Sequence, residues 1–207
     1  MKEEQDYIRD IVEIRSMMER SSKFLSLSGW AGILAGVYAL AGAYIAYQAF
    51  HFNPDEIVYI PTSENISFSL LNIILLAIII LILAIGTAIF FSNKKAKKKS
   101  EKPWNATAKR LLIHMAVPLI VGGLLILILI LKGLLGLIAP FTLLFYGLAL
   151  FNASRFTYEE VRVLGLIEIG LGLISTYFIE YGLLCWALGF GVVHIIYGIY
   201  IHYRYER

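Results

Sequence analysis

A single carboxyl group stands in the middle of a long apolar stretch of this sequence. Glu168 is the only charged residue of VLGLIEIGLGLIS, which covers residues 163–175. If the stretch lies in hydrocarbon, a charge there costs about 2.5–3.5 kcal/mol on insertion scales. Such a group turns toward other helices, pairs with a polar side chain or carries a proton, and the chemistry that it offers is proton binding.

His194 is the candidate partner for Glu168, because helical spacing places both residues on stripes of small residues. These are Gly165, Gly172 and Ser175 beside Glu168, and Ala187, Gly191 and Gly198 beside His194. Counted from the ends of their apolar runs, the two residues differ in depth by about 6 Å at a rise of 1.5 Å per residue. We expect their side chains to meet, directly or through water. Two interpretations remain open: a Glu–His or Glu–Tyr hydrogen bond that pins two helices, or a protonatable pair on a conduction or substrate path.

The other reactive residue types are not arranged for catalysis or metal binding. His114, His194 and His202 lack the HxxxH or HExxH spacing that organises a metal site, and Cys185 is the only cysteine. No Ser-His pair, Asp-Asp pair or Gly-rich phosphate loop stands at usable spacing. The sequence therefore predicts no catalytic residue, no metal and no cofactor, and an intramembrane enzyme is the least favoured class.

The elements that must position Glu168 and His194 are membrane-spanning helices. Of the 207 residues, 59% are hydrophobic and 16% charged, whereas a soluble domain averages about 45–50% and 25%. Apolar blocks of about 20 residues are typical of transmembrane helices, which satisfy their own backbone hydrogen bonds. The blocks are 24–50, 68–91, 111–131, 133–152, 163–179 and 183–203. We predict an all-α polytopic membrane protein with six helices in three consecutive hairpins; Pro140 offers a later start for the fourth.

The distribution of basic residues predicts the orientation. If the six spans alternate, every Lys and Arg except Lys132 falls on one side, in the amino-terminal segment, the 92–110 loop, the 153–162 connection and the carboxyl terminus. Because basic residues are retained in the cytoplasm, we expect both termini there, in a bacterial inner membrane.

The 92–110 loop holds a dense lysine cluster. Its residues are Lys94, Lys95, Lys97, Lys98 and Lys99. Such a run is typical of a topology anchor beside a span, and it can also bind anionic lipid headgroups. Nucleic-acid binding is not expected, because the cluster lacks the interleaved aromatic residues that would stack on bases.

Residues 1–23 form a separate charged unit before the 24–207 membrane domain. Residues 3–23 have the spacing of an amphipathic helix, with Ile8, Ile11 and Val12 on its apolar side. We expect this helix to lie on the lipid headgroups or under the bundle; docking to a cytosolic partner protein is the alternative.

The first span carries a continuous seam of small residues, which favours close helix packing in a membrane. The seam consists of Gly29, Gly32, Gly36, Ala39 and Ala43. It predicts packing either against the chain's own bundle or against a second copy in a homo-oligomer. Spans two and three have no such seam, so we expect a core of spans one, five and six, with spans two and three facing lipid.

The ends of spans four and six resemble each other, since FYGLALFNASRF and IIYGIYIHYRYE share a Tyr-Gly pair and a following arginine. Gly86 likewise precedes Lys94 at the end of span two, and together these patterns hint at triplication of a two-helix unit. In GILAGVYALAG (32–42), GLIEIGLGLIS (165–175) and ALGFGVVHIIYGIY (187–200), the chain resembles small six-span bacterial acid-resistance membrane proteins of the HdeD type. The resemblance implies a stress-associated inner-membrane protein without catalytic residues. The charged amino-terminal segment, the 51–67 loop and Glu168 have no counterpart in that pattern.

Two functional hypotheses follow. The first is a non-enzymatic membrane protein, stress-associated or acting through cytoplasmic protein or lipid interactions, because most polar sequence lies on the cytoplasmic side. The second is a small proton-linked transporter or channel that uses Glu168 and His194. The aliphatic spans two and three argue against the second, since they offer no polar lining, and no interrupted helix pair stands out.

Overall fold

The computed structural model describes residues 27–52, 68–98 and 105–207. The amphipathic helix predicted for residues 1–23, Lys99 and most of the 51–67 loop lie outside the described residues. The described part is all-helical, with no strand. Its helices are α1 (Gly29–Gln48), α2 (Phe68–Lys98), α3 (Ala106–Leu131), α4 (Ile138–Ala153), α5 (Glu160–Tyr177) and α6. Helix α6 continues through three segments: Gly182–Trp186, a π-helical turn region at Ala187–Val193, and His194–Tyr205.

Five of these helices are long and apolar enough to cross a membrane: α1, α2, α3, α4 and α6 with their short flanking turns. The class of helical, multi-pass membrane protein is supported by this finding. Helix α5 is not among the five, because its 18 residues include three charged side chains, Glu160, Arg162 and Glu168. The helix that differs in composition is therefore the helix that carries the candidate site.

The turn between α3 and α4 explains how a hydrophobic run of this length is divided. Gly133 has a φ of 72°, the left-handed conformation that favours glycine. Its N–H donates to the Ile130 carbonyl at 3.0 Å, and the Leu134 N–H donates to the Leu129 carbonyl at 2.9 Å. These two bonds form a Schellman motif, which ends a helix. Helix α4 then begins at Ile138, so Pro140 lies in its first turn, where a missing N–H is tolerated.

The basic residues of α2, α3, α5 and α6, Arg155 after α4 and the start of α1 lie at one end of the bundle, which we call the basic end. Lys95, near the end of α2, donates to the Leu27 carbonyl at 2.6 Å, just before α1, and to the Tyr158 hydroxyl at 3.3 Å, just before α5. Leu27 also packs against Ala108 of α3 and Ala153 of α4. Lys95 is further bonded to Glu206, which follows α6. The helices therefore alternate in direction within the described residues.

The order of packing differs in one respect from the expected core. Helix α1 lies between α2 and α6, and α4 lies between α3 and α5. Helices α2 and α3 are outermost and mostly exposed, as their sequences predicted. Helix α4 was not expected in the core, yet Leu143 and Ala149 are fully buried there. Its Gly147 allows the close approach to α5 that places it inside.

The small seam of α1 packs against α6 of the same chain. A Cβ added at Gly198 would lie 2.5 Å from the Gly29 carbonyl oxygen, and one added at Gly36 would lie 2.6 Å from the Gly191 oxygen. A Cβ at Gly32 would lie 3.2 Å from the Gly198 Cα. Ala39 and Ala43 continue the seam as buried residues. The helices cross backbone to backbone, because the seam has no larger side chains.

Helices α4 and α5 repeat this crossing in the same register. A Cβ added at Gly147 of α4 would lie 2.7 Å from the Gly165 oxygen and 2.8 Å from the Ile169 nitrogen. The corresponding atoms around Gly198 of α6 are the Gly29 oxygen and the Ile33 nitrogen. Glycine and isoleucine are thus four residues apart in both partner helices.

The match extends to the next contact along each helix. A Cβ at Gly172 of α5 would lie 3.0 Å from the Pro140 oxygen of α4. This contact corresponds to the one between Gly36 and Gly191 in the other crossing. In each crossing, the second contact lies seven residues along both helices from the first. The repeat hinted at by the two Tyr-Gly pairs therefore has a structural counterpart in α4 and α6. In α2, by contrast, a Cβ at Gly86 would have no described atom within 4 Å, so α2 does not form a third crossing of this kind among the described residues.

Candidate functional site

Glu168 is fully buried among α4, α5 and α6, with 0% of its surface exposed. The space for its carboxyl group depends on a glycine of α6. A Cβ at Gly189 would lie 2.6 Å from Glu168 Oε2 and 2.6 Å from Leu143 Cδ2. Because any larger residue at position 189 would occupy that space, Gly189 is a positioning residue for the carboxyl group.

The predicted contact between Glu168 and His194 is present. The His194 Nδ1 atom lies 3.3 Å from Glu168 Oε1, and the imidazole is only 5% exposed. Nδ1 is also 2.9 Å from the Gly189 carbonyl oxygen, and Nε2 is 3.0 Å from the Tyr146 hydroxyl. A carbonyl oxygen can only accept, so Nδ1 carries a hydrogen in this arrangement. In the neutral imidazole, Nε2 then accepts from the Tyr146 O–H.

The π-helical segment of α6 lies directly before His194. A π turn has hydrogen bonds five residues apart instead of four and is frequent at functional sites. Gly189 lies inside this segment, and its carbonyl group accepts from a side chain five positions later. The segment therefore provides both the gap for the carboxyl group and an acceptor for the imidazole.

The electrostatics of Glu168 are unusual for a buried group. Neither of its carboxyl oxygens has a hydrogen-bond partner among the described residues. An isolated buried carboxylate is strongly disfavoured by the loss of water. The charge can be balanced in two ways: the carboxyl group holds a proton, or His194 is protonated and forms an ion pair with the carboxylate. The titratable groups that face Glu168 are His194 from α6 and Tyr146 from α4, and the pair can bind and release a proton without a metal or cofactor.

Tyr146 is a member of this group that the sequence analysis did not identify. It belongs to the Tyr-Gly pair of α4, which the sequence pattern marked only as part of a repeat. Its ring packs on His194 with centroids 5.5 Å apart, and on Phe190 at 5.0 Å. The available signal was its position next to Gly147, because a close crossing at Gly147 brings Tyr146 toward the neighbouring helices.

A second polar cluster lies at the basic end, around Glu206. Its Oε1 accepts from the Gly29 N–H and from Lys95 Nζ, each at 3.0 Å, and its Oε2 lies 2.9 Å from His202 Nδ1. The carboxylate thus caps the first turn of α1, where it also interacts favourably with the helix dipole. Burial raises the pKa of Glu206, but the bonds from His202, Lys95 and Gly29 lower it more, so the pKa lies below its usual range.

The lysine cluster divides into two kinds of residue. Lys94, Lys97 and Lys98 are exposed at the end of α2, as expected for a topology anchor or a headgroup contact. Lys95 differs from the expectation, because its side chain is 11% exposed and turns inward to Glu206. Helical geometry accounts for the difference, since α2 continues to Lys98 and one residue of each turn must face the bundle.

Among the described residues, no group of three His, Cys, Asp or Glu side chains is placed to hold a metal ion. Comparison with known proteins adds no further assignment: no family model matches the chain, and neither a curated protein nor a solved structure matches it significantly.

Proposed function

We propose that the chain is a six-span protein of a bacterial inner membrane, with both termini in the cytoplasm, and that it is a non-enzymatic proton-binding protein. Its Glu168–His194 pair takes up a proton from the cytoplasmic side. The observation that carries this proposal is the Glu168 carboxyl group, which is fully buried and 3.3 Å from the imidazole. Buried ionisable groups inside a membrane are costly and are typical of functional sites.

The direction of proton uptake is supported by the distribution of polar groups. On the side of the basic end, Tyr146 and His194 connect Glu168 to further buried hydroxyl groups. Toward the opposite end, the buried face of α5 continues with Gly172 and Ser175, and the buried Cys185 thiol of α6 lies near Ser175; none of these three residues carries a carboxyl group, an imidazole or a phenol. This asymmetry favours reversible binding from one side over transport from one side to the other.

The proposed role is a response to acidity. Proton binding changes the charge at a site where three helices meet, and the chain's resemblance to acid-resistance membrane proteins suggests the same physiological setting. The output would be read at the cytoplasmic face by a cytosolic protein or by anionic lipids. Lys94, Lys97 and Lys98 are exposed there, and lysine clusters of this kind attract anionic headgroups.

The direct test is infrared difference spectroscopy of the full chain in proteoliposomes, recorded between neutral and acidic buffer. A protonated carboxyl group absorbs separately from a carboxylate. We expect a titrating carboxyl band that Glu168→Gln removes, whereas Glu180→Gln, an exposed acid between α5 and α6, leaves it in place. A band that persists in Glu168→Gln would exclude Glu168 as the proton-binding group.

The alternative, a proton-linked transporter or channel, makes a separate prediction. Under an imposed pH gradient, liposomes with the native chain would lose protons faster than liposomes with Glu168→Gln. Equal flux, or no flux from either, excludes transport and leaves one-sided binding.

The proposed topology is tested by reporter fusions; a 92–110 segment found outside the cell would contradict it.

A further inference from the structure

Helices α5 and α6 face each other with two polar contacts, one deep and one near the basic end. The deep contact joins Glu168 to His194 at 3.3 Å. The second joins Glu160 Oε1 to the Tyr205 hydroxyl, which donates at 2.9 Å. Glu160 and Glu168 share one face of α5, since they are two turns apart, a separation of about 12 Å along the helix. The corresponding face of α6 carries His194, Tyr197 and Tyr205.

Tyr197 lies between these two contacts. Its hydroxyl group is buried and has no hydrogen-bond partner among the described residues, and the same holds for Glu160 Oε2. Tyr197 packs with Tyr146 against the same buried cluster and lies within electrostatic range of Tyr146 and of Glu160. Tyr146 is in turn bonded to His194 at 3.0 Å. The polar groups therefore form a series from Glu160 to Glu168.

The surroundings of this series are mainly apolar. Tyr146 and Tyr197 both pack against a buried cluster formed by Leu150, Tyr158, Val161, Leu164 and Ile201. Buried polar atoms without a protein partner are usually bonded to ordered water. A hydroxyl group and a carboxylate oxygen of this kind, on facing helices, are suited to share such water.

Glu160 is the member of the series that reaches the surface of the bundle. Its side chain is 19% exposed, and its Oε1 lies 3.3 Å from Arg204 Nη1. The other titratable groups around it are Tyr205 from α6 and Tyr158, whose hydroxyl accepts from Lys95 of α2. Exposure to the aqueous side and a carboxylate charge make Glu160 the residue at which protons would collect.

We infer that Glu160, Tyr197 and Tyr146 form the proton route from the basic end to the Glu168–His194 pair, with Tyr197 as the relay between the two ends. The inference rests on the proposed proton-binding function of that pair. In each transfer a hydroxyl group accepts a proton on a lone pair and releases its own proton to the next acceptor. The tyrosines are unchanged after passage, the cytoplasmic water has lost one proton and the Glu168–His194 pair has gained it.

The experiment separates the rate of proton uptake from its extent. The full chain in proteoliposomes is exposed to a rapid acidification by photolysis of a caged proton, and the Glu168 carboxyl band is followed by time-resolved infrared spectroscopy. Tyr197→Phe keeps the packed ring and removes only the hydroxyl group. We expect uptake to slow by about a hundredfold, the lower range for a positioned proton-transfer group, with the final amplitude unchanged. The matched control is Tyr203→Phe, an exposed tyrosine of the same helix.

A purely structural role for Tyr197 would change the amplitude or the thermal stability and leave the rate alone; such a result overturns the route. A Tyr197→Phe rate equal to that of Tyr203→Phe also overturns it. Glu160→Gln, with the exposed neighbour Glu159→Gln as its control, tests the outer end in the same way and should also slow uptake. If the native chain shows no titrating Glu168 band, the proposed function fails and the route fails with it; a titrating band with unchanged kinetics in both variants contradicts the route alone.

Discussion

The α1–α6 and α4–α5 crossings share the same register of close backbone contacts but differ at the position of Glu168. In both, a glycine of one helix meets a glycine of the other, and a second contact follows seven residues later. Between those two contacts, α1 carries Gly32 and α5 carries Glu168. The first crossing therefore has a glycine at the place where the second has a buried carboxyl group.

This difference separates the requirements of packing from those of chemistry. Glycine at position 32 shows that close helix packing needs no side chain there. Glu168 instead requires the gap at Gly189 and the neighbouring His194. A costly residue that packing does not need is best explained by its chemistry, and the comparison therefore supports a functional rather than a structural interpretation of Glu168.

The largest effect on stability is expected from substitutions that add a side chain where the helix backbones meet in the two crossings. Gly198→Ala and Gly147→Ala should each lower the free energy of unfolding by about 3 kcal/mol, the upper range for overpacking, because the new methyl groups meet backbone atoms at 2.5 and 2.7 Å. Gly86→Ala has space and should stabilise α2 slightly. Unfolding of the full chain in mixed detergent micelles measures all three. Clearly unequal losses at positions 147 and 198 would argue against equivalent crossings.

A smaller effect is expected at the position where the crossings differ. Gly189→Ala should destabilise the native chain because its methyl group would lie 2.6 Å from Glu168 Oε2. In the Glu168→Gly background, which makes α5 resemble α1, the same substitution should cost less, because only the Leu143 side chain, with Cδ2 at 2.6 Å, still has to move. The double-mutant cycle should give a coupling of about 2 kcal/mol, within the usual range for contacting residues. Additive effects would mean that Gly189 does not make room for the carboxyl group.

Tyr146 and Tyr197, which each precede the glycine of a crossing, should differ in their contribution to stability, and this effect is smaller still. Tyr146→Phe should cost about 1.5 kcal/mol of unfolding free energy, because it leaves His194 Nε2 buried without its partner. Tyr197→Phe removes a hydroxyl group that has no partner among the described residues, so it should leave the stability nearly unchanged. The same unfolding assay compares them, and a similar loss in both would contradict the assignment.

The smallest effect concerns the basic end of the α1–α6 crossing. Because the pKa of Glu206 is lowered in the folded chain, its stabilisation is present above the ordinary carboxyl pKa of 4.5 and is lost as the pH falls through the folded value. Glu206→Gln should therefore reduce stability by about 1 kcal/mol near neutral pH and by less in acid. Unfolding as a function of pH, with the exposed Glu159→Gln as control, checks this; a constant difference at all pH values would count against it.

The parts of the fold that depend on local composition could be predicted from the sequence. Apolar length located the helices, small residues marked the seam of α1, and helical spacing placed Glu168 opposite His194. Hydropathy marks only the apolar part of a helix, however, so the continuation of α2 to Lys98 was missed; lysine and alanine favour helix without being hydrophobic. The inward turn of Lys95 depends on that continuation.

The remaining features depend on which helices are neighbours. Tyr146 joins the site because α4 packs into the core, a choice that apolar sequence does not specify, since lipid and helix interiors are similarly apolar. The bond from the Gly29 N–H to Glu206 connects residues 177 positions apart. Such contacts arise from the assembled bundle, so no spacing rule along the chain identifies them.

The π-helical segment of α6 also has a consequence for chain length. A π turn accommodates one residue more than an α turn. The helical segments on either side can therefore keep the orientation of their side chains, although the chain between them is one residue longer. Deleting Val192 should let Ala187–Val193 relax to ordinary α-helix without rotating the flanks. The deletion would shorten the spacing between Gly191 and Gly198, which both contact α1, and the Gly189 carbonyl group would return to the backbone ladder and no longer hold His194. The contact between His194 and the Gly189 carbonyl group therefore depends on the exact number of residues in this segment.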